Sequence, residues 1–173
     1  CPIDLREMEK CPECNINMID VIGDTQSSYG AVYKITFGNS DKPKKAALKI
    51  LPHEYFGRTG RINAYESNEN EIKITNKLSE LVMKGKCDCF PILYYGYECN
   101  DKHVMISELA WGDLSVYIRK YLLEGSFDYK LSILINILIK IVKSIKIMQE
   151  HNIIHNDLSI GNVLVKEDPT DRP

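Results

Sequence analysis

The hydrophobic period of this 173-residue chain changes twice, and the order of those changes limits what it can fold into. From Met18 to Leu51 the strand candidates alternate apolar and polar side chains. Met18–Gly23 and Gly30–Phe37 flank a turn containing Gly, Ser, Thr and Asp and read as a hairpin, and Ala46–Leu51 follows a second turn at Asn39–Pro43. From Ala64 to Met83 the period becomes helical: Ile72, Ile74, Leu78, Leu81 and Val82 recur among Glu, Asn and Lys, and Gly85 stops the run. Ile92–Glu98 and His103–Glu108 return to strand period on either side of Asn100-Asp101, after which Leu114–Leu123 and Leu131–Glu150 read as helices. In the last of these a polar stripe at Ser132, Asn136, Lys140, Lys143 and Lys146 interrupts an otherwise apolar cylinder, which predicts burial over most of its circumference. Three strands, a helix, two strands and then helices describe an α+β chain, with a small antiparallel sheet carrying one helix joined to a helical second lobe.

A mass of 19.8 kDa corresponds to one domain or one and a fraction. With 44% apolar and 27% charged residues the chain can bury a core and lies far from the composition of disorder. Lys and Arg (22) nearly balance Asp and Glu (24), so no global basic excess recruits nucleic acid or an acidic membrane, and neither partner is expected. The longest apolar stretch, Leu131–Met148, is too interrupted for a membrane span, and the acidic and basic residues among the first twenty leave no signal-peptide core. An intracellular, cytoplasmic setting is therefore expected, and with it six free thiols. Cys11-Pro-Glu-Cys14 has the spacing of half a zinc knuckle, but Cys87-Asp-Cys89 does not match the other half, so no metal is assigned to them. Residues 1–18 read as a leader or the tail of an upstream segment. The start at Cys1 and the ragged end at Lys166–Pro173 read as a piece of a longer product.

The segment His155-Asn156-Asp157-Leu158-Ser159-Ile160-Gly161-Asn162 carries the most chemistry. It lies between a helix and a short apolar strand, with Ile153-Ile154 and Val163–Val165 expected to anchor its ends in the core. An Asp and an Asn five residues apart on a rigid loop can divide two tasks: a carboxylate that accepts a hydroxyl proton and an amide oxygen that holds a divalent cation. The plainer alternative is a turn in which both side chains bond the local backbone.

This segment resembles the catalytic loop of the protein kinase family, H-R-D-L-x-x-x-N, with Asn156 in the place of the Arg. The resemblance implies that Asp157 is the catalytic base and Asn162 a magnesium ligand. The aminoglycoside and choline phosphotransferases share the same loop spacing, so the first half of the chain arbitrates. There Ala46-Ala47-Leu48-Lys49-Ile50 resembles the kinase V-A-I-K strand, which implies that Lys49 meets the nucleotide phosphates. An ammonium inside an apolar strand needs a carboxylate, and the helix offers Glu69 and Glu71. Glu71 is preferred, because Ile74, Leu78 and Leu81 follow it at +3, +7 and +10, which resembles the spacing after the helix glutamate of the kinases. Gly30 and Val32 stand in the third-glycine and valine places of a glycine-rich phosphate loop whose first two glycine places hold Thr25 and Ser27. Val104–Leu114 resembles the connection between kinase lobes: aligned on Gly112-Asp113, Ile106 falls at the gatekeeper, the Ser107 carbonyl and Leu109 N–H at the adenine edge, and Asp113 at the ribose or a substrate base. Asp113 also suits a helix cap, and the two roles are compatible.

Taken together, the resemblance implies a protein-kinase-like fold over residues 19–173, with an N-lobe over 19–108 and the start of a C-lobe over 113–173, truncated after the catalytic loop. ATP and Mg2+ are the implied cofactors and a protein substrate, Ser/Thr in type, the implied partner; the fragment by itself is expected to be inactive and its oligomeric state is left open. Two alternatives stand: a small-molecule phosphotransferase of kinase-like fold, and a pseudokinase or binding scaffold. The Lys- and Asn-rich, Arg-poor usage (17, 12 and 5 residues), with the run Asn70–Leu81 and Phe90-Pro91, resembles the kinases of large DNA viruses.

Overall fold

The computed structural model describes residues 16–22, 30–37, 43–57, 60–99, 101–122 and 126–166. The expectations for the leader up to residue 15, for Cys1, Cys11 and Cys14, and for Gly23, Thr25 and Ser27 lie outside the described residues. The chain packs as two units, one built on residues up to Lys84 with Pro91–Leu109, the other on Gly85–Phe90 with the residues from Ala110 onward.

The first unit is a five-stranded antiparallel sheet in the order β1-β2-β3-β7-β6, formed by Ile16–Ile22, Ala31–Phe37, Lys44–Pro52, Lys102–Glu108 and Leu93–Cys99 respectively. β1 starts two residues before the expected strand, inside the segment read as leader. Alternation sends Ala46, Leu48 and Ile50 of β3 to one face, where they meet Ala31, Tyr33, Ile35, Val104 and Ile106 in a core whose largest members are fully buried. The opposite face buries Leu51, Leu93 and Met105, and there the helix α1 (Tyr65–Met83) lays Ile72 against the sheet. Between β3 and α1 the chain makes a short hairpin, β4 (Glu54–Gly57) with β5 (Gly60–Asn63), which the sequence pattern did not reveal because four-residue strands hold too little alternation to register. Gly85 sits just past the end of α1 at φ 67, the left-handed position that ends helices.

Gly30 has a local structural reason to be glycine. Its φ is 121, and a Cβ there would collide with the carbonyl oxygen of Ile50 on β3. Gly30→Ala is expected to destabilise the fold by about 1–3 kcal/mol, as residues forced into such backbone regions do, measured as a lowered denaturation midpoint. An unchanged midpoint would mean that β2 enters the sheet along a different path.

At the N-terminal end of α1 three rings and a carboxylate cluster. His53, Tyr65 and His103 stack with centroids 4.7–4.9 Å apart, the Tyr65 hydroxyl donates to Glu98 at 3.1 Å, and His53 Nε2 lies 3.8 Å from Glu98. His103 is buried and, among the described residues, its Nδ1 has no hydrogen-bond partner. Burial first, then repulsion from His53, holds its pKa below the ordinary histidine value, against smaller opposing pulls from Glu98 and Glu69. The unfolded chain therefore takes up a proton that the folded chain refuses. Stability is expected to fall as pH drops below about 6.5, the value for a free histidine. Thermal melts at pH 7.5 and 5.5 should show this, with the loss reduced in His103→Phe; an equal loss in both proteins would assign it to other groups.

In the second unit Trp111 and Leu114 donate backbone N–H groups to Val165 and Val163, and β8 (Gly112-Asp113) pairs with β9 (Leu164-Val165). α2 (Leu114–Tyr117) continues into a wider π turn over Ile118–Leu122, in place of one regular helix. α3 runs Phe127–Glu150, four residues earlier than expected, because Ser126 caps it by accepting from the Tyr129 N–H. Its expected burial does not hold among the described residues: Leu134, Ile135, Leu138, Ile139 and Val142 are exposed, Val142 by 63%, and Met148 is its one buried residue. Periodicity reports which surface a helix can bury, and what covers that surface is decided by other segments. The loop Gly85–Phe90 packs with this unit, and burial, followed by the contact with Cys87, pushes the Cys89 thiol up to about 11 against a lowering bond with Ser144. Cys87 and Cys89 are free thiols, but Cys99 on β6 is disulfide-bonded, which corrects the expectation of six free thiols. The state of a thiol depends on what folding brings beside it, and residue spacing does not carry that information.

Candidate functional site

Lys49 lies on the α1-facing side of β3, directly across from Val32 on β2 and Met105 on β7. With apolar neighbours on both sides, its ammonium takes the carboxylate that the helix supplies: Lys49 Nζ is 2.5 Å from Glu71 Oε1. Both side chains keep 36–40% of their surface, so solvent screens the pair. Glu69 pairs instead with Lys73 one turn along the helix, at 2.9 Å. The reason for Glu71 differs from the one expected. Ile74 is 41% exposed, and the buried stripe of α1 runs through Asn68, Ile72, Leu78 and Ser79. Asn68 and Ser79 were missed as stripe members because they are polar, although they fall four before and seven after Ile72, which is helical spacing.

The strand register corrects the placement of Ile106. Ile106 pairs with Leu48, is fully buried, and belongs to the core on the sheet face away from Lys49. Side chains alternate with period two, so the face that carries Lys49 and Ala47 is completed by Met105 and Ser107, which pair with them. Alignment on Gly112-Asp113 puts Ile106 beside the base, whereas the register turns its side chain to the face away from Lys49.

In the second unit Asp113 caps α2. Its Oδ1 accepts from the Val116 N–H at 2.9 Å and the Ser115 hydroxyl at 2.5 Å, and the Ser115 bond is the main cause that holds its carboxyl below the usual carboxylate range. The segment His155–Asn162 is exposed throughout, with Ile153 buried on its approach. Ile154 (79% exposed) and Leu164 (53%) face solvent, so the expected anchoring in the core falls to Ile153 at one end, with the β8–β9 pairing at the other. Asn156 adopts φ 50, a backbone region that Asn tolerates well. Asp157 N–H donates to the His155 carbonyl, and Asn162 Nδ2 donates both to the Asp157 carbonyl at 2.8 Å and to Asp157 Oδ2 at 3.0 Å. These are the local bonds that the turn reading expects. With its NH2 committed to Asp157, Asn162 has its amide oxygen left for a cation, which fits one ligand of a magnesium site. Among the described residues no group of three or more His, Cys, Asp or Glu could hold a metal.

A family model for protein tyrosine and serine/threonine kinases matches residues 16–171, and the chain belongs to that family. It is similar to the serine/threonine-protein kinase PLK4 of Nematostella vectensis, with 29% identity over 126 residues, 72% of this chain. The chain spans 12% of the length of that relative. The five-stranded sheet with its helix is consistent with the kinase-like α+β fold. Among the described residues no helix is long and apolar enough to cross a membrane.

Proposed function

We propose that this chain carries the phosphate-anchoring and catalytic-loop residues of an ATP-dependent protein kinase acting on Ser or Thr hydroxyls. The observation that carries this reading is the Lys49–Glu71 pair, an ammonium on a sheet face with its carboxylate delivered from a separate helix. A positive charge fixed there offsets the negative charge of transferred phosphates, and Glu71 keeps its stem from swinging away. Asp157, held by Asn162, accepts the proton from the attacking hydroxyl. Asn162 offers its oxygen to Mg2+, which when bound would neutralise charge on the phosphates. By the family resemblance Val32 would serve the adenine side of a nucleotide, with Gly30 holding the entry of β2, and Asp113 would serve a ribose. Ser107 takes the place read for Ile106 beside the base, and the backbone contacts read for Ser107 and Leu109 move with it by one residue. The Ser/Thr preference is supported by the likeness to a serine/threonine-protein kinase.

The test uses the full-length protein that contains these residues. Lys49→Met is expected to lower kcat/KM for transfer to a protein substrate by about 10²–10³-fold, the usual consequence of removing one charge-stabilising group. Labelled phosphate appearing on Ser or Thr of a protein mixture supports the reading. Transfer to small hydroxylated metabolites alone would favour a small-molecule phosphotransferase, and nucleotide binding with no turnover a pseudokinase.

A further inference from the structure

Two buried polar side chains on α1 take no part in the chemistry proposed above, and both are bonded to the sheet. Asn68 is 7% exposed and its Nδ2 donates to the carbonyl oxygen of Pro52 at 2.8 Å. Ser79 is fully buried and its hydroxyl oxygen accepts from the backbone N–H of Leu93 at 2.9 Å. An amide and a hydroxyl on a helix face that otherwise carries Ile72 and Leu78 are unfavourable there unless bonded, because a buried polar atom left without its partner is strongly penalised.

Their positions give these bonds a common effect. Pro52 lies three residues after Lys49 on β3, and Asn68 lies three residues before Glu71 on α1. The Asn68–Pro52 bond and the Lys49–Glu71 pair therefore close a ring between strand and helix, and the Ala64 N–H donating to the His53 carbonyl at 2.7 Å adds another rung. On the other side of Glu71, two turns along, Ser79 ties the helix to the first residue of β6. A half-exposed ion pair is too weak to hold a 19-residue helix in register, and rotation by a single residue would carry Glu71 100° around the axis. Directional hydrogen bonds on both sides of Glu71 resist that rotation and also sliding along the axis.

We infer that Asn68 and Ser79 are positioning residues that hold α1 in the register that brings Glu71 to Lys49, so that the pair is preset by contacts within this unit. The consequence for nucleotide rests on the anchoring role proposed for Lys49 and Glu71; the seating of the helix does not. In the full-length protein, binding of fluorescently labelled (mant) ADP is measured for wild type, Glu71→Gln, Asn68→Leu and the double variant, alongside hydrogen exchange across residues 65–83. Asn68→Leu is expected to weaken binding about tenfold, equivalent to about 1.4 kcal/mol, and to speed exchange along α1. Added to Glu71→Gln it should weaken binding by less than about twofold more, because a residue acting through Glu71 has nothing left to position. Ile35→Val, on the far sheet face, lowers the melting temperature but should leave binding and α1 exchange as in wild type, which separates positioning from general destabilisation. Independent, multiplying effects of Asn68→Leu and Glu71→Gln, or unchanged α1 exchange in Asn68→Leu, would overturn the inference. If Glu71→Gln and Lys49→Met both bind as wild type, the anchoring role fails while α1 exchange still decides the positioning. Ser79→Ala carries the same cycle if Asn68→Leu does not fold.

Discussion

Asp157→Asn in the full-length protein is expected to lower kcat for phosphoryl transfer by about 10²–10⁴-fold, the range for loss of a positioned general base. Asp157 is the only carboxylate in the segment 155–162, so no other carboxylate on that loop can take the proton. The change keeps the shape of the side chain, and the bond from Asn162 to the Asp157 backbone carbonyl does not depend on the carboxylate, so the loop should hold. Nucleotide affinity should stay within about threefold, since the lost group acts in the transition state and not in ground-state binding. Rates on a protein substrate and mant-ADP titrations separate the two quantities. A kcat within tenfold of wild type would remove Asp157 from the role of base.

Ile106→Ala and Ser107→Phe are expected to act in opposite ways. Ile106 is fully buried against Leu48, and truncating it leaves a cavity that costs about 2–5 kcal/mol, a large part of the roughly 5–15 kcal/mol that holds a domain together. Nucleotide affinity measured where the variant is still folded should be unchanged, because the side chain lies on the face away from Lys49. Ser107 is half-buried on the Lys49 face, across from Ala47. A phenyl ring there should weaken nucleotide binding tenfold or more while shifting the denaturation midpoint little, with about 1.4 kcal/mol of binding lost per factor of ten. An Ile106→Ala protein of normal stability and poor nucleotide affinity would return Ile106 to the position first read for it.

Much of the fold was legible because its elements advertise themselves by period. β2, β3, β6, β7 and α1 fall close to where alternation and helical spacing placed them, and the Asp and Asn of the loop stand in a spacing that already suggested two linked tasks. The pairing of Lys49 was foreseeable on charge alone, since an ammonium between Val32 and Met105 needs a counter-ion. The β4–β5 hairpin was not, because its strands are too short to show a pattern. Nor was the histidine cluster, whose members come from the end of β3, the start of α1, and β6 and β7, brought together by topology.

The sequence by itself determined the order of strands and helices, the chemistry available at Lys49, Glu71, Asp157 and Asn162, and the family those residues announce, because period, charge and loop spacing are local properties of a chain. Only the tertiary structure decided which face of β7 looks at Lys49, why Gly30 cannot carry a side chain, what Asn68 and Ser79 bond to, and that α3 leaves its apolar surface exposed among the described residues. Each of those depends on the register between segments far apart in the chain. A shift of one residue in a ladder inverts every side chain, yet it leaves composition and periodicity as they were.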